Sequence, residues 1–557
     1  MPLFLGIIFP RINQSCTTFF LPVEQKKMKI LRKNFILYPF LFGLYPVLAL
    51  IAHNAREMEF LSGSRAIIGS FLLTFFLYVI ILLLIRNPEK SALLTSTIIL
   101  LFYTYGHINL LARDWTIIGS SIGRHRVLLP VYLVIIILAT WLILRTRRDL
   151  SASTRFINAF ALILLFFPLY QVAASQIEQY RAEQIQATYS QDRNLVKISQ
   201  NSIPPDVYYV ILDSYPRGDF INQYLNSNND AFLEALEERG FFVAHCSQSN
   251  YSDTRFSLAS TLNMEYLDGG EDLPEVVLSG TTLDSMIRLS EVEQNFANLG
   301  YTILTFESGY KWLRWELADH QLKPAQDRDY QLSSLGLNDF ERLLLDTTAV
   351  KFLLDLPVLL TPGQLVGFNQ ILDNPRAAHR ERVMFTLEQL PQIPEIFPSP
   401  KFTYAHLIFP HPPFIVDAQG SPLQNSPANE LSAYADQIIY LNKRLLDIID
   451  SILENSNTPP IIILQGDHGP TIAYQEQGID PAQRLGILNA YYLPPKQDQT
   501  AEKDTKAAES PYQDISPVNS FRLIFDKYFS GDYGLLEDLS ILGRQSPYTK
   551  LECSYSD

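Results

Sequence analysis

The chain has 557 residues, of which 47% are hydrophobic and 18% charged, and a formal net charge of −14. Its mean hydropathy is +0.04. The length excludes a single ordinary domain, and the apolar share is too high for a typical soluble enzyme and too low for a pure transporter. The acidic balance of the second part, with no basic stretch interleaved with aromatics, argues against nucleic acid as a partner.

In chain order, residues 1–33 form a cytoplasmic N-terminal segment. MPLFLGIIFP is apolar but lacks the basic region and small-residue cleavage site of a signal peptide. MKILRKNFILYPF, opening at Met28, reads as a natural start, so residues 1–27 are expected to be an over-extension. Five apolar stretches come next, at about 35–53, 66–85, 91–112, 127–144 and 156–175, within a transmembrane domain expected at 34–175. Runs such as FLLTFFLYVIILLLI leave no polar face for water, which disfavours buried helices of a soluble core.

Lys26, Lys27, Lys29, Arg32 and Lys33 precede the first stretch. Arg86 and Lys90, and then Arg145, Arg147, Arg148 and Arg155, occupy the connections on the same side. Arg56, Arg65, Arg113, Arg124 and Arg126 are the fewer cations of the opposite side. The excess of Lys and Arg places the N-terminus in the cytoplasm, and five crossings deliver the chain beyond residue 175 to the outside. His53, His107 and His125 lie at helix ends or loops, where packing is the ordinary reading.

Residues 176–203 are polar and poor in glycine, a helical linker reaching Pro204-Pro205. DVYYVILDSYPR then reads as a buried strand closed by an acid and turn residues. The amphipathic helix DAFLEALEERG, stopped at Gly240, leads to a second strand, GFFVAHCSQSN. Helix and strand go on alternating: VEQNFANLG with YTILTFES, AHRERVMFTLEQL with KFTYAHLIFPHPPF, YADQIIYLNKRLLDIIDSIL with PPIIILQGDHGP. This predicts an α/β domain over 204–545, a mainly parallel sheet with helices on both faces, whose ligands bind outside the carboxyl ends of the strands. Residues 496–510 are charged and of low complexity, an exposed insertion, and 546–557 a tail. Cys16, Cys246 and Cys553 match neither a zinc nor a disulfide motif. Free thiols are expected, with one bridge in an oxidising compartment the alternative.

Three predicted strand ends carry metal-type side chains: Asp213, His411 and the pair Asp467-His468. A divalent cation takes carboxylate and imidazole ligands from rigid positions and keeps one site open for chemistry. Taken singly, an acid after a strand is more often a turn former and a lone histidine more often a core residue. Their order along the chain favours a site.

That order, Asp…Thr…His…Asp-His, resembles the sulfatase-like branch of the alkaline phosphatase superfamily, above all the lipoteichoic acid synthases and lipid A phosphoethanolamine transferases. The layout, a five-helix membrane region before an extracytoplasmic catalytic domain, extends the resemblance over about 35–545. The resemblance implies an alkaline phosphatase-like fold and a metal set of Asp213, Thr254, Asp467 and His468, with Asp213 where those families usually have Glu. It makes Thr254, in Thr254-Arg255-Phe256-Ser257-Leu258, the nucleophile, with Ser252 and Ser257 as alternatives. It makes His411, in PHPPF, the substrate-side histidine and proton donor. A helix start there would offer backbone N–H groups to phosphoryl oxygens. The other reading of Thr254 is a helix N-cap.

The formylglycine motif of true sulfatases is absent, and no histidine occurs after His468. Both favour one divalent ion (Mn, Zn or Mg) and phosphoryl transfer. Trp312 and Arg314, in YKWLRWE, and Arg484, in QRLGILNAYYLP, are further substrate-binding candidates, with a surface helix and a surface cation as the alternatives. His245 and His379 read as structural, and His406 faces opposite His411 only if the strand pleat persists between them, which Pro410 disfavours. The expected protein is a multi-pass enzyme of the bacterial inner or plasma membrane acting on phospholipid or glycan headgroups. The alternatives are a sulfate- or phosphate-ester hydrolase and a non-catalytic envelope scaffold.

Overall fold

The computed structural model describes residues 35–553, apart from residues 59, 114, 118, 119, 192–195, 198–202, 226, 268–279, 326–336, 362–363, 368–374, 424–426, 428, 471–477, 496–509 and 543–549. The expected start at Met28 and nearly all of the low-complexity insertion lie outside the described residues.

Five helices open the described chain: α1 (Tyr38–His53), α2 (Ser64–Ile85), α3 (Pro88–Leu111), α4 (His125–Arg145) and α5 (Ser151–Gln191). Four of them, α2 to α5, are long and apolar enough to cross a membrane. The expectation of five such helices is met in number but not in length. α1 has 16 residues, about 24 Å at 1.5 Å per residue, which is short of a ~30 Å hydrocarbon core. Large apolar side chains such as Phe76, Leu84, Ile137 and Phe166 point outward, more than half exposed. Such faces need an apolar surrounding.

Small and polar residues fasten these helices to one another. A Cβ on Gly43 of α1 would collide with the Thr74 hydroxyl of α2, so only glycine allows this approach. Ser70 donates to the Gly43 carbonyl and accepts from Tyr103 of α3, both at 2.6 Å. The Asn158 side chain on α5 accepts from the backbone N–H groups of Leu37 and Tyr38 at 3.0 and 2.9 Å, satisfying donors at the start of α1 that the helix leaves unpaired.

The second part is built on a seven-stranded sheet. Its strands are β1 (Val207–Leu212), β2 (Phe241–Val243), β3 (Thr302–Phe306), β4 (His320–Leu322), β5 (Lys401–Leu407), β6 (Ile461–Gly466) and β7 (Asn489–Tyr492), in the spatial order β2-β7-β6-β1-β5-β3-β4. The run β6-β1-β5-β3-β4 is parallel, and β7 is antiparallel to both of its neighbours. The mainly parallel sheet read from the strand–helix alternation is therefore present.

Every residue of β1, β5 and β6 is buried, and the two-residue period of a strand divides them between two cores. Tyr208, Val210 and Leu212 join Ala405, Leu407, Ile462 and Leu464 under one long helix, Glu430–Asn455. Val207, Tyr209 and Ile211 join Phe402, Tyr404, Ile461 and Ile463 under helices that include Thr254–Asn263, Gly280–Arg288 and Ser520–Tyr528. These last three are α6, α7 and α8.

The strand starts are tied by a buried ion pair: Lys401 Nζ donates to Asp206 Oδ2 at 2.6 Å, with the side chains 1% and 2% exposed. Asp206 also accepts from the backbone N–H of Lys401 and the Ser399 hydroxyl, and its carbonyl accepts from Ile461 N–H. This one residue thus sets the register of β1, β5 and β6.

The expectation of free thiols is corrected: Cys246 and Cys553 form a disulfide across 307 residues. The sequence separation hid a pairing that the fold creates, because the segment 550–553 returns beside the end of β2. There Leu551 N–H donates to Gln248 Oε1 and the Glu552 carbonyl accepts from Arg217.

Candidate active site

β1 and β6 end side by side, Leu212 opposite Gly466, so the next residues, Asp213 and Asp467, emerge at one level. His468 comes directly after. Asp213, Asp467 and His468 are all buried, and a ligand atom from each lies within 4.8 Å of the others. Tight backbone approach makes this possible. A Cβ on Gly466 would run into the Tyr215 carbonyl, and one on Gly469 would sit 2.8 Å from the Gln483 carbonyl. Ser214 adopts a left-handed φ of 64°, a conformation costly for a residue with a side chain. It aims its N–H at Asp467 Oδ1 at 3.0 Å, while its hydroxyl donates to Asp213 Oδ1 at 3.2 Å.

The polar contacts leave defined atoms free. Asp467 Oδ1 accepts from two backbone N–H groups, of Ser214 and His468, whereas its buried Oδ2 has no hydrogen-bond partner. A buried carboxylate oxygen without a donor is costly unless a cation faces it. His468 Nδ1 lies 2.7 Å from the Gly469 carbonyl. A carbonyl only accepts, so Nδ1 carries the proton and Nε2 presents its lone pair. Two buried carboxylates and an imidazole Nε2 oriented by a carbonyl are the donor set of a divalent cation. The residues fit the metal that the sequence implies.

Thr254 opens α6, which puts its hydroxyl in the first turn, where backbone N–H groups are unpaired and the helix dipole is positive. The N-cap is Asp253, whose side chain accepts from Arg255 N–H at 3.1 Å. Thr254 is thereby released from capping, and its Oγ1 lies 3.0 Å from His468 Nε2. The alternative nucleophile Ser257 is buried and donates to the Asp467 carbonyl at 2.7 Å, beside Ser249 at 2.5 Å. Both serines anchor the Asp467 backbone.

His411 stands at the end of the segment after β5, half-buried, its backbone N–H donating to the Asp213 carbonyl at 3.1 Å. Burial works against the Asp213 charge. The neighbouring imidazoles of His406, His411 and His468 outweigh it and hold the carboxyl well below its usual range.

His406 is the residue that sequence reasoning set aside. It lies on β5 opposite Ile211, with Nε2 3.5 Å from Asp213 Oδ2. Its signal was present in KFTYAHL, since a buried strand histidine one residue before the carboxyl end belongs beside the acid of its neighbour. Ser214 had no such signal, because its role comes from a backbone angle. His379 is buried and held at about 3, chiefly by burial and by the nearby charges of Arg382 and His411, and it is therefore neutral.

The other candidates are spread around this group. Gly469 N–H donates to the Arg484 carbonyl at 2.6 Å, and Arg484 Nε is buried with no hydrogen-bond partner. Trp312 and Arg314 sit in and just after a single helical turn, Lys311–Leu313, rather than in a surface helix. The Trp312 indole N–H donates to Glu57 Oε2 at 3.0 Å, and Arg314 pairs with Glu307 Oε2 at 3.0 Å. Neither belongs to the carboxylate–imidazole group.

Fold and site together define a class: apolar helices followed by an α/β sheet with a cation-type donor set and a helix-borne hydroxyl at its carboxyl edge. No family model matches the chain, and no curated protein matches it. Solved structures of similar arrangement include the zinc complex of the C-terminal periplasmic domain of EptC from Escherichia coli. It is 13% identical, with a TM-score of 0.37, over 60% of this chain and 86% of that one. The integral membrane lipooligosaccharide phosphoethanolamine transferase A from Neisseria meningitidis is 12% identical over 82% of this chain and 86% of that one, with a TM-score of 0.32. The lipoteichoic acid synthase LtaP from Listeria monocytogenes is 13% identical over 57% and 72%, with a TM-score of 0.30.

Proposed function

We propose that this chain is a membrane-anchored, metal-dependent phosphotransferase or phosphodiesterase of the sulfatase-like branch of the alkaline phosphatase superfamily. Its substrates would be phospholipid or glycan headgroups of the cell envelope. The observation that carries the reading is the meeting of the Thr254 hydroxyl with His468 Nε2 beside Asp213 and Asp467.

In this reading Thr254 Oγ1 forms a bond to the headgroup phosphorus as the phosphorus–oxygen bond to the leaving alcohol breaks. The Thr254 proton goes to solvent, and the leaving oxygen takes one from His411. An acceptor hydroxyl or water then attacks the phosphothreonine and restores Thr254. A divalent cation held by Asp213, Asp467, His468 and Thr254 would supply the positive charge that favours the alkoxide and offsets the transferring phosphoryl group. The unpaired Nε of Arg484 supports an anion-binding role for that residue. Trp312 and Arg314 remain candidates for the headgroup pocket, outside the carboxylate–imidazole group.

In this reading the chain sits in a bacterial inner or plasma membrane, with the multi-pass part at 34–175 and the catalytic part at 204–545 on the extracytoplasmic side; the four long apolar helices support a membrane setting. The Lys and Arg distribution supports that side, as does the Cys246–Cys553 disulfide, since such bonds persist in oxidising compartments.

Mass spectrometry of the purified full chain after incubation with bacterial phospholipids tests the reading. A phosphoryl adduct on Thr254 is expected. No adduct, together with undiminished headgroup release by Thr254→Ala, would overturn it. Following the labelled headgroup to an added acceptor or to water separates transferase from hydrolase.

A further inference from the structure

Arg255, next in chain to Thr254, sends its guanidinium to three segments at once. Nε donates to Asp284 of α7 at 2.8 Å, Nη2 donates to Glu57 Oε1 at 2.6 Å, and the charge lies 4.4 Å from the centre of the Trp312 ring. Glu57 belongs to none of the sheet elements. It stands in the short connection between α1 and α2, at the end of the apolar helices.

Glu57 completes a closed ring of contacts. Its second carboxylate oxygen accepts from the Trp312 indole N–H at 3.0 Å, and its backbone carbonyl accepts from Lys311 N–H at 3.2 Å. Both partners of the cation–π pair are therefore held by one carboxylate. An arginine in such a fork keeps its geometry better than a lysine would, because its planar donors are fixed relative to one another.

Neighbouring contacts repeat the attachment. Arg56 pairs with Glu178, Lys311 Nζ donates to Gln179, and Arg288 pairs with Glu183, all three partners on α5. The Lys311 and Arg288 contacts join the end of α5 to the globular part, and the Arg56 pair joins it to the connection that carries Glu57. The Glu57 contact, by contrast, reaches the residue adjoining the proposed nucleophile.

We infer that Glu57 is a positioning residue: from the connection between two apolar helices it fixes Arg255, and through it the first turn of α6 that carries Thr254. The inference rests on the reading of Thr254 as the nucleophile. A displacement of about 1 Å at a reacting atom costs on the order of 10²-fold in rate, so the tether acts on turnover and leaves substrate affinity largely alone. It would make turnover depend on how the membrane helices seat against the globular part.

The test uses the full chain in detergent micelles containing fluorescent phosphatidylglycerol or phosphatidylethanolamine, with kcat and KM measured alongside hydrogen–deuterium exchange of the peptide spanning residues 251–258. Glu57→Ala is expected to lower kcat by at least tenfold, shift KM by less than threefold and speed exchange in that peptide. Glu57→Gln, which keeps one of the two acceptor oxygens and turns the other position into an NH2 donor, should recover part of kcat. Unchanged exchange and unchanged kcat in Glu57→Ala would overturn the proposal. Thr254→Ala run in parallel separates the two readings. If it stays active, the nucleophile assignment fails and the positioning role fails with it. If it is inactive while Glu57→Ala turns over normally, only the positioning role is wrong.

Discussion

The Thr254 hydroxyl oxygen lies 3.0 Å from Nε2 of His468, across 214 residues of sequence. It is free to do so because Asp253, one residue earlier, takes the capping bond. Thr254→Ala removes the hydroxyl while leaving the cap and helix in place. Turnover of a fluorescent phospholipid should fall by roughly 10³-fold or more, as for loss of other covalent nucleophiles, with the unfolding temperature nearly unchanged. Thr254→Ser keeps a hydroxyl and should keep measurable activity.

Asp467 is the residue whose stability role and chemical role should have opposite signs. With no cation bound, it lies beside a second buried carboxylate, Asp213, and its Oδ2 accepts no hydrogen bond, with His468 Nε2 3.5 Å away. Asp467→Asn relieves that repulsion, so the chelator-treated variant should be as stable as chelator-treated wild type or more so. With zinc or manganese added, wild type should gain stability by mass action, about 2.7 kcal/mol at a hundredfold excess over Kd, and the variant should gain little. Thermal unfolding with and without metal, paired with metal analysis, measures this. Equal gains in both proteins would remove Asp467 from the donor set.

The sheet was legible because β1, β5 and β6 are buried on both faces and read as continuous apolar runs, VYYVIL, KFTYAHL and IIILQG. Their acids and histidine were legible for the same reason: a polar residue closing such a run marks the strand end. The features that could not be read depend on backbone geometry or on distant partners. The left-handed turn at Ser214, the pairing of Cys246 with Cys553 and the reach of Glu57 to Arg255 leave no local periodicity. α1 illustrates the limit from the other side. Its composition matches a spanning helix, but Asn158 anchors its start and the turn at Asn54 its end, leaving only 16 helical residues.

The Lys401–Asp206 pair sits at the start of the strands whose ends carry the site. Six residues of β1 separate Asp206 from Asp213, about 23 Å over seven steps of ~3.3 Å. Removing one member of a buried pair strands the other charge and costs about 3–5 kcal/mol. Asp206→Ala should therefore lower stability by about that amount in chemical denaturation, while the turnover of the folded fraction stays close to wild type. A selective loss of turnover with stability intact would mean that this end of the sheet communicates with the site.

Asp284 gives the fold a pH dependence of predictable sign. Burial, first, and the nearby Glu57 charge push its carboxyl up, against the opposing pull of Arg255 and Arg56, to about 6 from the usual 3.8. A carboxyl that binds its proton more tightly in the folded state favours folding most at low pH, below the unfolded value. That contribution is lost as pH rises from about 4 through about 6 and is constant above. A shift of this size corresponds to at most about 3 kcal/mol. Asp284→Asn replaces the titrating group with a neutral one of the same shape, so the stability of wild type relative to the variant should fall between pH 4 and 6 and then level off. Parallel denaturation curves at pH 4, 5, 6 and 7 in the presence of chelator isolate the effect from metal binding. A difference that stays flat over this window, or one that rises with pH, would show that the Asp284 carboxyl is not raised in the folded protein and pairs with Arg255 as an ordinary salt bridge.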